Sequence, residues 1–217
     1  QAAILVRESD SNKIVGFSTI MDLEIEYEGK KINGLFSGDT IMEREYWGNT
    51  ALHQQFLKYV VRRKIESPTH EFYWFLISKG YKTYLLMANN FQEYFPRVEQ
   101  ETPSKEQKII QLFSEKLYPE SFDPEKKLIV FPYNSVRLKG GVAPINDDLL
   151  SVDKIKFFQD RNPTWRTGTE LPCIGKITFT QFGHSFFKLM AKSVRKQLPT
   201  LLLEELREKN VTTESVL

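Results

Sequence analysis

The chain reads as a mixed α/β (α+β) protein, a mixed sheet flanked by helices with a mixed C-terminal extension. Three features predict this. Short β-branched and apolar runs fill the first forty residues, with period-two alternation over 21–27. The spacing of apolar positions then changes to three-to-four between Asn49 and Lys64. An unbroken apolar run, Phe72-Tyr73-Trp74-Phe75-Leu76-Ile77, follows. Alternation marks strands with one wet face, three-to-four spacing a helix with one apolar face, and a continuous apolar run a strand covered on both faces.

Residues 4–8 and 14–20 are apolar, β-branched runs separated by Ser9-Asp10-Ser11-Asn12-Lys13, which is turn chemistry, so they predict a hairpin. Residues 21–27 alternate apolar and acidic side chains, and Glu28-Gly29-Lys30-Lys31 turns the chain into a further strand over 32–42. Gly34 and Gly38 in that strand suggest a bulge or a close backbone approach. In the helix over 49–64, Leu52, Phe56, Leu57, Tyr59, Val60 and Val61 form the apolar side. Lys58, Arg62, Arg63 and Lys64 gather at the C-terminal end, where the helix dipole favours cations. A second helix is predicted from Gly80 or Tyr81 to about Glu93, closed by Pro96. A strand, helix and strand in this order form a right-handed crossover, so 32–42 and 72–77 should lie parallel.

The chain has 217 residues, enough for one large domain or two small ones. Thirty Lys and Arg against twenty-eight Asp and Glu leave a net charge of +2, too little to support a nucleic-acid partner. With 41% hydrophobic and 13% aromatic residues the chain can build a core. The single cysteine, Cys173, excludes an internal disulfide and makes a reducing, cytoplasmic compartment the expectation. His53, His70 and His184 are too scattered to propose as metal ligands, so no metal is expected. The first residues carry no initiator Met and no signal pattern and begin within a strand-like run, so residues are expected upstream. No stretch approaches the ~18 apolar residues of a membrane span.

Residues 99–108 turn polar, which places a domain boundary near residue 100, with a core over 1–100 and an extension over 101–217. In the extension, Ser104 can cap a helix whose apolar side is Ile109, Ile110, Leu112, Phe113 and Leu117. A short strand over 128–131, a turn at Lys139-Gly140-Gly141 and a short helix over 147–159 follow. Residues 160–173 are rich in Pro, Gly and polar types and read as a loop, in which Arg161, Trp165 and Arg166 either pack against the core or grip an anion. Gly183-His184-Ser185 and Cys173 have no hydrolase or cysteine-protease pattern around them. Residues 186–198 are amphipathic and basic, suited to docking on the domain or to a membrane surface.

The order of antiparallel strands, crossover helix, buried strand and helix over residues 1–97 resembles the core of the GCN5-related N-acetyltransferase (GNAT) superfamily, starting at that family's second strand. The second half is similar to extensions on uncharacterised bacterial GNAT-like proteins. The resemblance implies acyl-CoA bound where two parallel strands splay apart, with acetyl-CoA or a longer acyl-CoA as co-substrate and a small-molecule or protein amine as acceptor. It assigns the cofactor to Ile41 and Met42 on the strand and to Trp47, Gly48, Asn49 and Thr50 at the helix start, where backbone N–H groups can cradle a pyrophosphate. The family pattern is Gln or Arg, two residues, Gly, one residue, then Gly or Ala. Glu45 stands at its first position and Thr50 at its last. Read without the family, Asn49 or Thr50 caps a helix.

The resemblance further implies a tyrosine on the second helix as general acid for the thiolate, matched by Tyr84 with Tyr81 one turn earlier. Asp39 and Glu43 are the carboxylates placed for a general base. His53, one turn into the first helix, could also titrate usefully, although as a polar surface residue it needs no role. Two other functions share the fold. One is a binding module without chemistry, and the other an enzyme that takes its acyl group from an acyl-carrier protein, as acyl-homoserine-lactone synthases do.

Overall fold

The computed structural model describes residues 2–46, 51–131 and 144–180. The chain divides into compact units at Gln1–Thr178 and Phe179–Leu217, and the first contains every strand named here. The division expected near residue 100 is not where the compact units part. The amphipathic segment over 186–198, His184 and the turn at 139–141 lie outside the described residues.

The first strand, β1 (Ala2–Arg7), pairs antiparallel with β2 (Ile14–Tyr27), a single strand that takes in both the run over 14–20 and the alternating run over 21–27. The turn into β3 (Lys30–Met42) needs only Glu28 and Gly29, with φ of 51° and 70°, the pair of left-handed residues that suits the right-handed twist of a two-residue hairpin. Helix α1 (Ala51–Glu66) crosses to β4 (Glu71–Ser78), which pairs parallel to β3, as the crossover rule requires. With β6 (Phe122–Asp123), β7 (Leu128–Val130) and β8 (Thr169–Lys176), the sheet runs β1-β2-β3-β4-β8-β7-β6, with β5 (Tyr94–Phe95) also on β8; eight strands make it a mixed sheet flanked by helices.

Helix α2 (Tyr81–Ala88) stops one turn before the position predicted from the sequence. Asn89 is its C-cap, and the chain must leave the helix there for β5 to reach β8. Helix α3 (Ser104–Leu117) begins where expected, but Ser104 is inside the helix, Pro103 takes the cap position, and no side chain caps it. The short pair β6 (Phe122–Asp123) and β7 (Leu128–Val130) leads on to β8. The helix predicted over 147–159 is broken into α4 (Asp147–Leu150), capped by Asn146 Oδ1 accepting from Leu149 N–H at 3.1 Å, and α5 (Asp153–Arg161).

The largest correction concerns residues 160–173, read as a loop. After a single turn of tight helix at Trp165–Thr167, Thr169–Lys176 form β8, a buried strand between β4 and β7. Pro172 argued against a central strand because it lacks an N–H. Its position removes that objection. Lys176 N–H donates to Glu93 O and Ile177 N–H to Phe72 O, so alternate N–H groups of β8 face away from β4. The nitrogen of Pro172 is on that same outer side, between the residues paired with β5 (Ile174 and Gly175) and those paired with β7 (Thr169 and Glu170). No ladder bond is lost there.

The two faces of the sheet are covered differently. Leu23, Ile25, Ile32, Tyr73, Phe75 and Ile174 meet Ile109, Ile110 and Phe113 of α3, with the rings of Phe75 and Phe113 5.5 Å apart. On the other face Trp74 lies between Phe56 of α1, at 5.1 Å, and Phe91, at 5.4 Å. Phe113 seats directly over Gly34, where an added Cβ would stand 2.5 Å from Phe113 Cζ and 3.2 Å from Leu23 Cβ. Gly34→Ala is therefore expected to cost about 1–3 kcal/mol through overpacking, read as a fall in the urea midpoint. An unchanged midpoint would show that Phe113 moves aside freely.

Candidate active site

β3 and β4 share a parallel register from Ile32 and Glu71 to Phe36 and Phe75, and then part. Beyond that point, among the described residues, β3 pairs with β2 alone and β4 with β8 alone, as Thr40↔Ser18 and Leu76↔Cys173 show. The parting has a local cause. Ile20 faces Ser37 and Ser18 faces Thr40, so Thr19 is opposed by two residues, Gly38 and Asp39. This bulge bends and twists β3 at the place where it leaves β4. Trp74 Nε1–H donates to Ser37 Oγ at 2.9 Å and ties the strands at the vertex.

The open arm of β3 is exposed, Ile41 to 58%, a high value for an isoleucine on a strand. Its support comes from the β2 side. Ser18 and Thr40 hydroxyls bond at 2.9 Å, Glu43 N–H donates to Val15 O at 2.8 Å, and Lys13 Nζ lies 2.9 Å from the Glu43 carboxylate. Tyr46 O–H, in the turn that follows, donates to Glu8. Ile41 and Met42 thus sit on the arm as predicted. Glu43 is held in an ion pair with Lys13 that braces the arm. Trp47, Gly48, Asn49 and Thr50 lie outside the described residues.

Tyr84 is fully buried, and its hydroxyl donates to Pro96 O at 3.1 Å. Tyr94, Phe157 and Phe158 surround its ring at 5.9–6.2 Å, and burial pushes its phenol far above the usual range. The sequence placed it beside a cofactor sulfur. The structure makes it a core residue between α2 and α5, because α2 turns its Tyr84 and Met87 side inward. Tyr81, the alternative, is also buried.

The end of β4 carries a polar pair that sequence reasoning missed. Glu170 on β8 is 6% exposed and pairs with Lys79, just past β4, at 3.2 Å. Burial raises the Glu170 carboxyl above its ordinary range, Lys79 opposes the shift, and the charge of Asp39 adds to it. Tyr118, at the end of α3, is pushed up to about 12 by burial, then by Glu170 and Asp39. Its ring packs edge-on against Phe36 and Phe131 at 6.2 and 5.5 Å. Asp39, on the bulge, is exposed, and its negative charge is among the causes that raise the buried Glu170. The signal for Glu170 was its place before Leu171-Pro172-Cys173-Ile174, hidden by reading the proline as a loop marker.

Cys173 is buried, and burial raises its thiol, so it is no nucleophile. Among the described residues no group of three or more His, Cys, Asp and Glu side chains could hold a metal ion, and no helix is long and apolar enough to cross a membrane.

No known protein family matches the chain, and no curated protein does. Several solved structures align with part of it, among them the following three. A mutant AtaT toxin bound to the C-terminus of the antitoxin AtaR and acetyl-CoA aligns at 12% identity and TM-score 0.33, over 40% of this chain and 56% of that one. The same toxin bound to the C-terminus of AtaR aligns at 15% and 0.35, over 44% and 59%. The KacTA–DNA complex aligns at 13% and 0.34, over 52% and 72%. The chain thus spans less than two thirds of the length of the two AtaT chains. The chemistry of the site follows from its own residues.

A carboxyl whose folded-state pKa is raised stabilises the fold fully below the ordinary value of 4.5 and loses that contribution as pH rises through the raised value. Glu170→Gln removes this dependence. The melting temperature of the variant relative to the parent protein should therefore climb as pH rises above 4.5. A difference that stays flat would show that Glu170 ionises as freely in the fold as outside it.

Proposed function

We propose that the chain is an acyl-CoA-dependent acyltransferase that transfers an acyl group directly to an amine. The observation that carries this reading is the parting of β3 and β4 after Phe36 and Phe75, with the carboxylates of Asp39 and Glu170 beside the opening. From Ser37 to Ile41 the β4-facing edge of β3 has no strand partner among the described residues. An extended, amide-bearing chain such as pantetheine can add to such an edge as another strand would. An acyl thioester supplies there an activated carbonyl with a thiolate leaving group.

The remaining chemistry belongs to the protein. The exposed carboxylate of Asp39 attracts the acceptor as an ammonium ion. Glu170, whose raised pKa brings it nearer to the range of a working base, takes the proton that the amine sheds, directly or through one water. Lys79 opposes that rise and so favours the ionised form that can accept a proton. The departing thiolate takes its proton from solvent, since the phenol of Tyr118, pushed up to about 12, is a poor donor to it.

Titration calorimetry with acetyl-CoA and longer acyl-CoAs should show saturable binding, and its absence for all of them sinks the reading. Glu170→Gln should lower kcat by about 10²–10⁴ while acyl-CoA affinity is retained. The pH profile adds a directional check. Lys79→Met removes a cation and should move the acidic limb of kcat/KM to higher pH, whereas Asp39→Asn removes a like charge and should move it lower. Limbs that do not move in opposite directions would exclude Glu170 as the base.

A further inference from the structure

Where β3 and β4 part, one side chain bridges them. Ser37 is the first residue of β3 beyond the last pair, Phe36↔Phe75, and its Oγ accepts the Trp74 Nε1–H at 2.9 Å. The indole is firmly seated: Trp74 is 6% exposed, with Phe56 at 5.1 Å and Phe91 at 5.4 Å against its ring. Ser37 is thus fixed from β4, on the sheet face that α1 packs against.

An indole N–H can only donate, so the serine oxygen serves as its acceptor and the serine O–H is left to donate elsewhere. Among the described residues nothing accepts it. Ser37 is half-buried, which leaves its hydroxyl within reach of a ligand. A hydroxyl that accepts one hydrogen bond also donates a stronger one, because the two bonds polarise each other. The next residue, Gly38, brings no side chain to the vertex; an added Cβ would stand 2.5 Å from Thr19 Oγ1. Glu170 is on the other face. It stands four residues before Ile174 on β8, and alternation puts both on the face that α3 covers. A carbonyl held at the vertex therefore has the base on one side of the sheet and the Ser37 hydroxyl on the other.

We propose that Ser37 is a catalytic residue, whose O–H donates to the carbonyl oxygen of the acyl thioester while the amine attacks. The proposal rests on the transferase reading. As the amine nitrogen bonds to the carbonyl carbon, the C=O pair moves onto oxygen, where the Ser37 hydroxyl stabilises it. The pair returns when the C–S bond breaks and the thiolate leaves, and the proton shed by the amine goes to Glu170. Ser37 keeps its own proton throughout. A donor aimed in advance contributes most where the charge on that oxygen is greatest, in the transition state.

Ser37→Ala should lower kcat by about 10²-fold, while its melting temperature falls by only about 2–4 °C for one lost hydrogen bond. Ser37→Thr retains the hydroxyl and should restore most of the rate. Trp74→Phe keeps a ring between Phe56 and Phe91 but frees the hydroxyl to turn, so its kcat should lie between those of the parent and Ser37→Ala. Titration calorimetry of the whole chain supplies a readout apart from turnover, with acetyl-CoA compared against S-ethyl-CoA, which lacks the carbonyl oxygen. The parent should prefer acetyl-CoA by about two- to tenfold, and Ser37→Ala should bind the two equally. The role of Ser37 is overturned if Ser37→Ala keeps its kcat, if it keeps the preference for acetyl-CoA, or if the parent has no such preference. Failure of the parent to bind either compound overturns the transferase reading and this proposal together.

Discussion

The parallel pairing of β3 with β4, and the point at which it ends, organises this protein. Five register pairs hold the two strands together, and the bulge at Gly38–Asp39 opposite Thr19 then carries β3 away while β4 stays with β8. A sheet interior normally gives every strand two neighbours. Here one strand has, among the described residues, a single strand neighbour for about half its length, and the exposed arm is held from the other side by β2 and by the contacts of Lys13 with Glu43 and of Tyr46 with Glu8. The opening is thus a built feature of the sheet, with Trp74 and Ser37 at its vertex.

β8 gives the opening its chemistry. Inserted antiparallel beside β4, it carries Glu170 to the place where β4 ends and Lys79 begins the next turn. A carboxylate so deeply buried is unfavourable unless a cation compensates it, and Lys79 does so only in part. The result is a group whose protonation is responsive to its neighbours, with Asp39 raising it and Lys79 lowering it. The outer side of β8 has a different character. There β5 and β7 pair at opposite ends and leave Pro172 between them.

The packing that steadies both regions is aromatic. Phe113 seated over Gly34 joins α3 to the sheet on one face, and Phe56, Trp74 and Phe91 form the contact on the other. Tyr84 belongs to this class as well: enclosed by Tyr94, Phe157 and Phe158, it joins α2 to α5, and its hydroxyl is spent on the Pro96 carbonyl.

Local patterns in the sequence were sufficient for the early strands, the crossover helix, the buried strand after it and their parallel relation, because period, turn residues and crossover handedness are properties of short segments. They also foresaw that Gly34 and Gly38 meant a close approach or a bulge; the structure has one of each. They placed Ile41 and Met42 on the strand that opens. Only the tertiary structure decided where β3 and β4 part, that Tyr84 faces the core, and that Thr169–Lys176 is a central strand. The reason is physical. Whether a proline breaks a strand depends on which neighbour its missing N–H would have met, and which way a helical tyrosine faces depends on what covers that helix. A glutamate becomes chemically significant when strands distant in sequence bury it beside Lys79 and near Asp39, and no local pattern around Glu170 records those neighbours.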